Sequence, residues 1–106
     1  MTDRELLEWA AKAAGIVRDH TDDSWYQSGG GSCRANWSPL TDDGDEARLE
    51  ARLGLHVRWR THHVEVGRLL DDTWQESYAL HGGDKQAARR YAGVRAAAAI
   101  GRASDA

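Results

Sequence analysis

Apolar and polar positions along the chain follow two different periods. In DRELLEWAAKAAGIV, residues 3–17, Leu6, Ala10, Ala13 and Val17 recur at helical spacing with Leu7 and Ala14 beside them, while Arg4, Glu5, Glu8 and Lys12 fall outside that stripe. The spacing predicts a helix over 3–17, with Thr2 or Asp3 as its N-cap and Gly15 as a C-terminal stop signal. LHVRWRT, residues 55–61, instead alternates Leu55, Val57, Trp59 and Thr61 against His56, Arg58 and Arg60, the pattern of a half-buried strand. HVEVGRL, 63–69, alternates in the same way, and Thr61 and His62 make a tight connection between the two. LDDT at 70–73 is a turn signal, and WQESYALHGG at 74–83 predicts a third strand with Trp74, Glu76, Tyr78 and Leu80 on one side. In such a meander Arg58 or Arg60 faces Glu65 across strands.

Between these periodic regions lies NWSPLTDDGDEARLEARLGL, residues 36–55. Pro39 disfavours helix at Ser38, and Asp43 with Glu46 has the D-x-x-E form of a capping box at the start of a short helix. Leu49 and Leu53 give that helix an apolar seam, and Gly54 ends it. DKQAARRYAGVRAAAAIGRASDA predicts a last helix over 84–100, capped by Asp84, with Ala87, Tyr91, Val94 and Ala98 on one face and residues 102–106 as a frayed tail. Residues 18–35 are polar and glycine-rich, with SGGGS at 28–32; they read as an irregular or flexible loop, or as short strands near 24–27 and 33–35. The predicted architecture is a single α+β domain over 1–106, ordered α–loop–α–β–β–β–α, with helices packed on one face of a small antiparallel sheet of about three strands.

Composition agrees with one core. A chain of 106 residues with 41% hydrophobic and 29% charged residues can bury roughly two thirds of the surface it exposes when unfolded. No apolar run approaches the ~20 residues of a membrane span, and the acidic, amphipathic N-terminus does not read as a secretory signal. Cys33 is the single cysteine, which rules out an internal disulfide and suits a reducing cytoplasm. A net charge of −3 and a pI near 5.9 give the chain as a whole no footprint of a non-specific nucleic-acid binder.

The acids Asp42, Asp43, Asp45, Glu46 and Glu50 invite comparison with a calcium loop. Counted from Asp42, however, Gly44 takes a ligand position and the invariant glycine position is not glycine, so capping and the helix dipole account for the cluster. His20, His56, His62, His63, His81 and Cys33 show no zinc spacing, so no metal and no cofactor are expected. The glycine run before Cys33 lacks the Gly-Lys-Ser/Thr end of a phosphate loop, and no G-x-S-x-G occurs, which points to a non-enzymatic protein.

Two candidate surfaces remain. Trp25 and Trp37 sit in polar, irregular segments and, with Pro39, Asp42, Asp43 and Asp45, offer an aromatic and acidic contact surface for a protein partner. Folding of the 18–40 segment back over the sheet would bury the same tryptophans as lids. Lys85, Arg89, Arg90 and Arg95 on the last helix form the alternative, a basic face for phosphate or nucleic acid. The element order with a basic, alanine-rich last helix is also similar, in architecture only, to double-stranded-RNA-binding domains. A sheet edge or the last helix would allow a weak homodimer as an alternative to a monomer.

Three blocks carry a family resemblance: ELLEWAAKAAGI near the N-terminus, the central NWSPLTDDGDEARLEARLGL, and the closing ARRYAGVRAAAAIGRA. Together they resemble small phage and prophage proteins related to the NinX-like group of tailed phages, with the W-S-P-L-x-D-D-G-D block the most specific part. The SGGGS stretch and the strand meander lie outside the match. The resemblance implies a phage accessory protein in the cytoplasm of a bacterial host, carries over no catalytic residue, and makes Trp37, Pro39, Asp42, Asp43 and Asp45 the positions to test first. By analogy with other small acidic phage proteins it suggests a binder of a host or phage protein, such as an inhibitor of a defence system or of a nucleic-acid enzyme.

Overall fold

A computed structural model of the chain describes residues 2–18, 25–27, 37–69 and 72–104, with the backbone alone at 17, 18, 25–27, 69 and 72. Helix α1 spans Asp3–Ala14, followed by β1 at Ile16–Arg18 and β2 at Trp25–Gln27. Helix α2 spans Asp43–Leu53; strands β3 (His56–Trp59), β4 (His63–Leu69) and β5 (Asp72–Ser77) follow, then a 3-10 turn at Tyr78–His81 and helix α3 at Lys85–Ser104. β3, β4 and β5 form a three-stranded antiparallel sheet in that order, and β1 and β2 pair as a separate antiparallel ribbon. The α+β architecture with helices against one face of the sheet is as the sequence predicts.

α3 is the central element, packed against α1, α2, β4 and β5. Its alanines explain how. Val94, Ala97 and Ala98 join Leu6, Ala10 and Ala14 of α1 and Leu40 and Leu49 in one apolar cluster, while Ala88, Ala92 and Ala96 join Leu55, Val64, Val66 and Tyr78 in another. A helix that is apolar around its circumference is buried on more than one side, and small side chains let its neighbours come close. At Gly101 backbone meets backbone: a Cβ there would collide with the carbonyl oxygen of Trp9.

Register sorts the sheet's side chains. Trp59 pairs with Val64 and Val64 with Glu76, while Val57 pairs with Val66 and Val66 with Trp74. Since alternate residues share a face, these six point toward α3. Arg58, Glu65 and Gln75 form a row on the opposite, polar face, where Arg60 Nε also donates to Glu65 at 3.3 Å.

Element boundaries depart from the periodicity in several places. α1 stops at Ala14 because Gly15 adopts a left-handed cap (φ 71°), and Ile16 and Val17 belong to β1 rather than to the helix. Its N-cap is Thr2, in a complete capping box with Glu5. α2 is capped by Asp42, which accepts the Asp45 N–H, so the expected Asp43–Glu46 box does not form. The third strand begins at Asp72 and ends at Ser77, where the Ser77 hydroxyl accepts the Ala79 N–H and starts the 3-10 turn. Tyr78 and Leu80 therefore leave the strand pattern; Tyr78 is buried and Leu80 is 76% exposed. α3 runs on to Ser104, through part of the expected frayed tail. The predicted SGGGS loop and a strand at 33–35 lie outside the described residues.

The close crossing at Gly101 yields a stability test. Alanine is the better helix former by about 1 kcal/mol, but here its methyl group must push α1 from α3, and overpacking of that kind costs about 1–3 kcal/mol or more. Gly101→Ala is expected to lower the unfolding free energy measured by urea titration. A variant as stable as the parent would show that the two helices do not meet there.

Candidate binding surfaces

The acidic corner before α2 is held together from within. Pro39 and Leu40 are buried, and Trp37 is half-buried against the cluster formed by α1, α2 and α3. Asp45 accepts the Ser38 N–H at 2.9 Å and Arg48 Nη2 at 2.6 Å, while Asp42 accepts the Asp45 N–H at 2.8 Å. Asp43 accepts Arg90 Nη1 at 2.6 Å, and Arg90 Nε donates to the Leu40 carbonyl at 2.9 Å. Of the predicted contact residues, the structure thus brings together Trp37, Pro39, Asp42, Asp43 and Asp45, each with partners inside the chain; the Trp25 side chain lies outside the described residues.

The predicted basic face is likewise engaged. Arg89 grips Glu50 with two bonds, Nε at 2.9 Å and Nη2 at 2.8 Å, and lies 3.4 Å from Glu46. Arg95 approaches Glu76 at 3.6 Å, and the Lys85 ammonium stands 5.3 Å from the Tyr78 ring centroid. Three of the four cations therefore face acids of the same chain, and their charge is largely compensated before any phosphate arrives. His81 is likewise engaged. Its Nε2 meets buried Glu76 at 2.8 Å, and its ring lies 4.9 Å from that of Tyr91. The Tyr91 hydroxyl donates to Asp3 at 2.6 Å, a bond that together with burial holds the phenol up at about 12. Among the described residues no group of three or more His, Cys, Asp or Glu side chains converges as a metal site.

Glu46 is the most unusual ionisable group. Its side chain is 1% exposed, and one carboxyl oxygen, Oε1, has no hydrogen-bond partner and fills the notch left by the missing side chain of Gly93. Burial pushes the carboxyl up to about 9, reinforced by its hydrogen bond with Glu50 and by that residue's charge, and opposed by Arg89. Glu46 is therefore neutral near pH 7, beside a carboxylate that Arg89 holds.

What remains open lies on the other flank of α3. Leu6, Trp74, Ala98 and Ala99, with Arg95 and Arg102 beside them, line a cavity of about 410 Å³ between α1 and β5. A smaller one of about 120 Å³, lined in part by Leu55, Ala96, Ile100 and Arg68, shares Trp74 and Ala99 with it. The two form a trough along the C-terminal half of α3, with an apolar floor and Trp74, 39% exposed, as its dividing wall. Arg68 and Arg102 are exposed and have no ion-pair partner among the described residues. Sequence reasoning placed Trp74 on one side of its strand with Glu76 but did not single out the trough. Arg95 and Arg102, seven positions apart and flanking Ala98 and Ala99, were the available signal.

The raised Glu46 has a direct consequence for stability. Between its ordinary value of 4.5 and about 9, the folded protein keeps a proton that the unfolded chain releases. This contribution is complete below 4.5 and is lost as pH rises through about 9. Unfolding free energy should therefore decline across that window, by at most about 1.4 kcal/mol per pH unit from this group. Glu46→Gln, which keeps a neutral donor, should flatten the decline; parallel urea-titration curves for the two proteins would refute the assignment.

No family model, curated protein or solved structure matches the chain.

Proposed function

We propose that the chain is a non-enzymatic binder of another protein and that the trough around Trp74 is its contact surface. The observation that carries this reading is an apolar cavity of about 410 Å³ walled by a 39% exposed tryptophan. Tryptophan beside an apolar recess is the side chain most often found anchoring a protein contact, because it brings a large rigid area with a polar N–H at its edge. The neighbouring arginines supply the polar rim that such contacts have. The acidic corner and the basic face of α3 serve this reading as framework, since their charged groups hold α2 to α3. The resemblance read from the sequence gives the setting, a phage or prophage accessory protein acting on a host or phage protein in the bacterial cytoplasm.

Affinity capture from lysate of the bacterial host, with nuclease treatment, tests the reading. Wild type and a Trp59→Ala control, altered at the far end of the same sheet face, are expected to retain the same stoichiometric protein. Trp74→Ala, checked for folding by circular dichroism, is expected to lose it. Identical bound sets for all three would remove the trough from consideration. Retention that nuclease abolishes would replace the protein partner with a nucleic acid.

A further inference from the structure

Resting on the reading of the trough as a protein contact, we infer that its occupant is an extended, acidic–apolar segment that adds to the sheet as a fourth strand beside β5. Three features of the molecule converge on this occupant.

The first is the edge. In the sheet order β3-β4-β5, β5 pairs with β4 alone among the described residues, so its outer backbone groups can accept a strand, as exposed edges do in strand-addition complexes. The second is the floor. The cavity beside Trp74 lies between β5 and Leu6 of α1, over Ala98 and Ala99. That is the space the inward side chains of a next strand would enter, because sheet side chains alternate between faces. Alanine leaves room there that a larger side chain would fill. The third is charge. Arg95, Arg102 and Arg68 line the two halves of the trough, and the only carboxylate facing any of them among the described residues is buried Glu76, 3.6 Å from Arg95. An incoming basic segment would meet three guanidinium groups; an acidic one would give them charge-assisted partners.

Spacing refines the pattern. Arg95 and Arg102 are seven residues apart on α3, roughly 10 Å along its axis at about 1.5 Å per residue. In a strand, residues i and i+4 share a face and lie roughly 13 Å apart, within reach of two flexible arginines. The central residue, i+2, then falls over Ala98 and Ala99. The motif that fits is acid–x–apolar–x–acid, with an aliphatic or aromatic residue at its centre.

A displayed library of random peptides, selected in parallel on wild type, Trp74→Ala and the exposed double variant Arg68→Glu/Arg102→Glu, reads this directly. Peptides recovered on wild type are expected to carry Asp or Glu two residues to either side of an apolar residue, at roughly tenfold or greater enrichment over the unselected library. The charge-reversed protein should recover peptides with Lys or Arg at the place facing position 102 and with Asp or Glu still at the place facing Arg95, and Trp74→Ala should recover none above background. Recovery that depends on Trp74 but shows no acidic preference would overturn this inference and leave the trough as a contact site. Recovery unchanged by Trp74→Ala would overturn both. Acids spaced at helical intervals around the apolar residue would overturn the strand form, as would failure to recover any peptide on wild type.

Discussion

The structure depends on how closely other elements can approach α3. A helix usually presents one apolar stripe, yet α3 packs against two helices and a sheet, so its side chains must be small on several sides at once. Alanine meets that need at most positions, and glycine at two where nothing larger fits. At Gly101 the backbone of α1 occupies the space of a side chain, and at Gly93 the carboxyl of Glu46 does. The helical layer against α3 is set by these contacts, since moving α1 or α2 outward by a methyl group would open the apolar cluster they share with it.

Charge then fixes α2 against the same helix. Glu46 enters the Gly93 notch without solvent, which is tolerable because it is neutral, while Glu50 takes a two-pronged arginine. One turn away Arg90 ties both Asp43 and the Leu40 carbonyl to α3. Acids clustered in the sequence thus act as separate fixtures: Asp42 caps, Asp45 holds the turn at Ser38, and Asp43, Glu46 and Glu50 meet arginines from the last helix.

Periodicity was enough to find most elements. β4 spans the residues its alternation predicts, and all three helices lie where apolar spacing and capping chemistry place them. Misplaced boundaries have local causes. Val17 fitted the helical stripe, but Gly15 takes the left-handed conformation that ends a helix, and a strand needs no more than the two apolar residues that follow. Tyr78 and Leu80 fitted strand alternation, but the Ser77 hydroxyl caps a 3-10 turn and breaks the period. Site residues were harder to read because their meaning is non-local. Nothing near Glu46 in the chain reveals a notch at Gly93, and nothing near His81 reveals that Glu76 folds back to meet it. The trough combines Leu6, Trp74 and Arg102, residues from both ends of the chain that no window of sequence places together.

The trough also has a geometric reason to exist. A helix of 20 residues extends about 30 Å, whereas β4, with 7 residues, covers roughly 23 Å. α1, with 12 residues, covers about 18 Å. A long helix that is apolar on several sides therefore outruns its cover, and the shortfall falls on its C-terminal half, at half-buried Ala99 and Ile100. Alanine makes this tolerable, because each methyl left in water forfeits far less burial energy than a leucine would. Larger side chains could have filled the space from within the helix. With small ones, the same residues that let α1 cross closely at Gly101 leave the neighbouring flank short of one strand, and the tryptophan and arginines beside that gap give it a chemical preference.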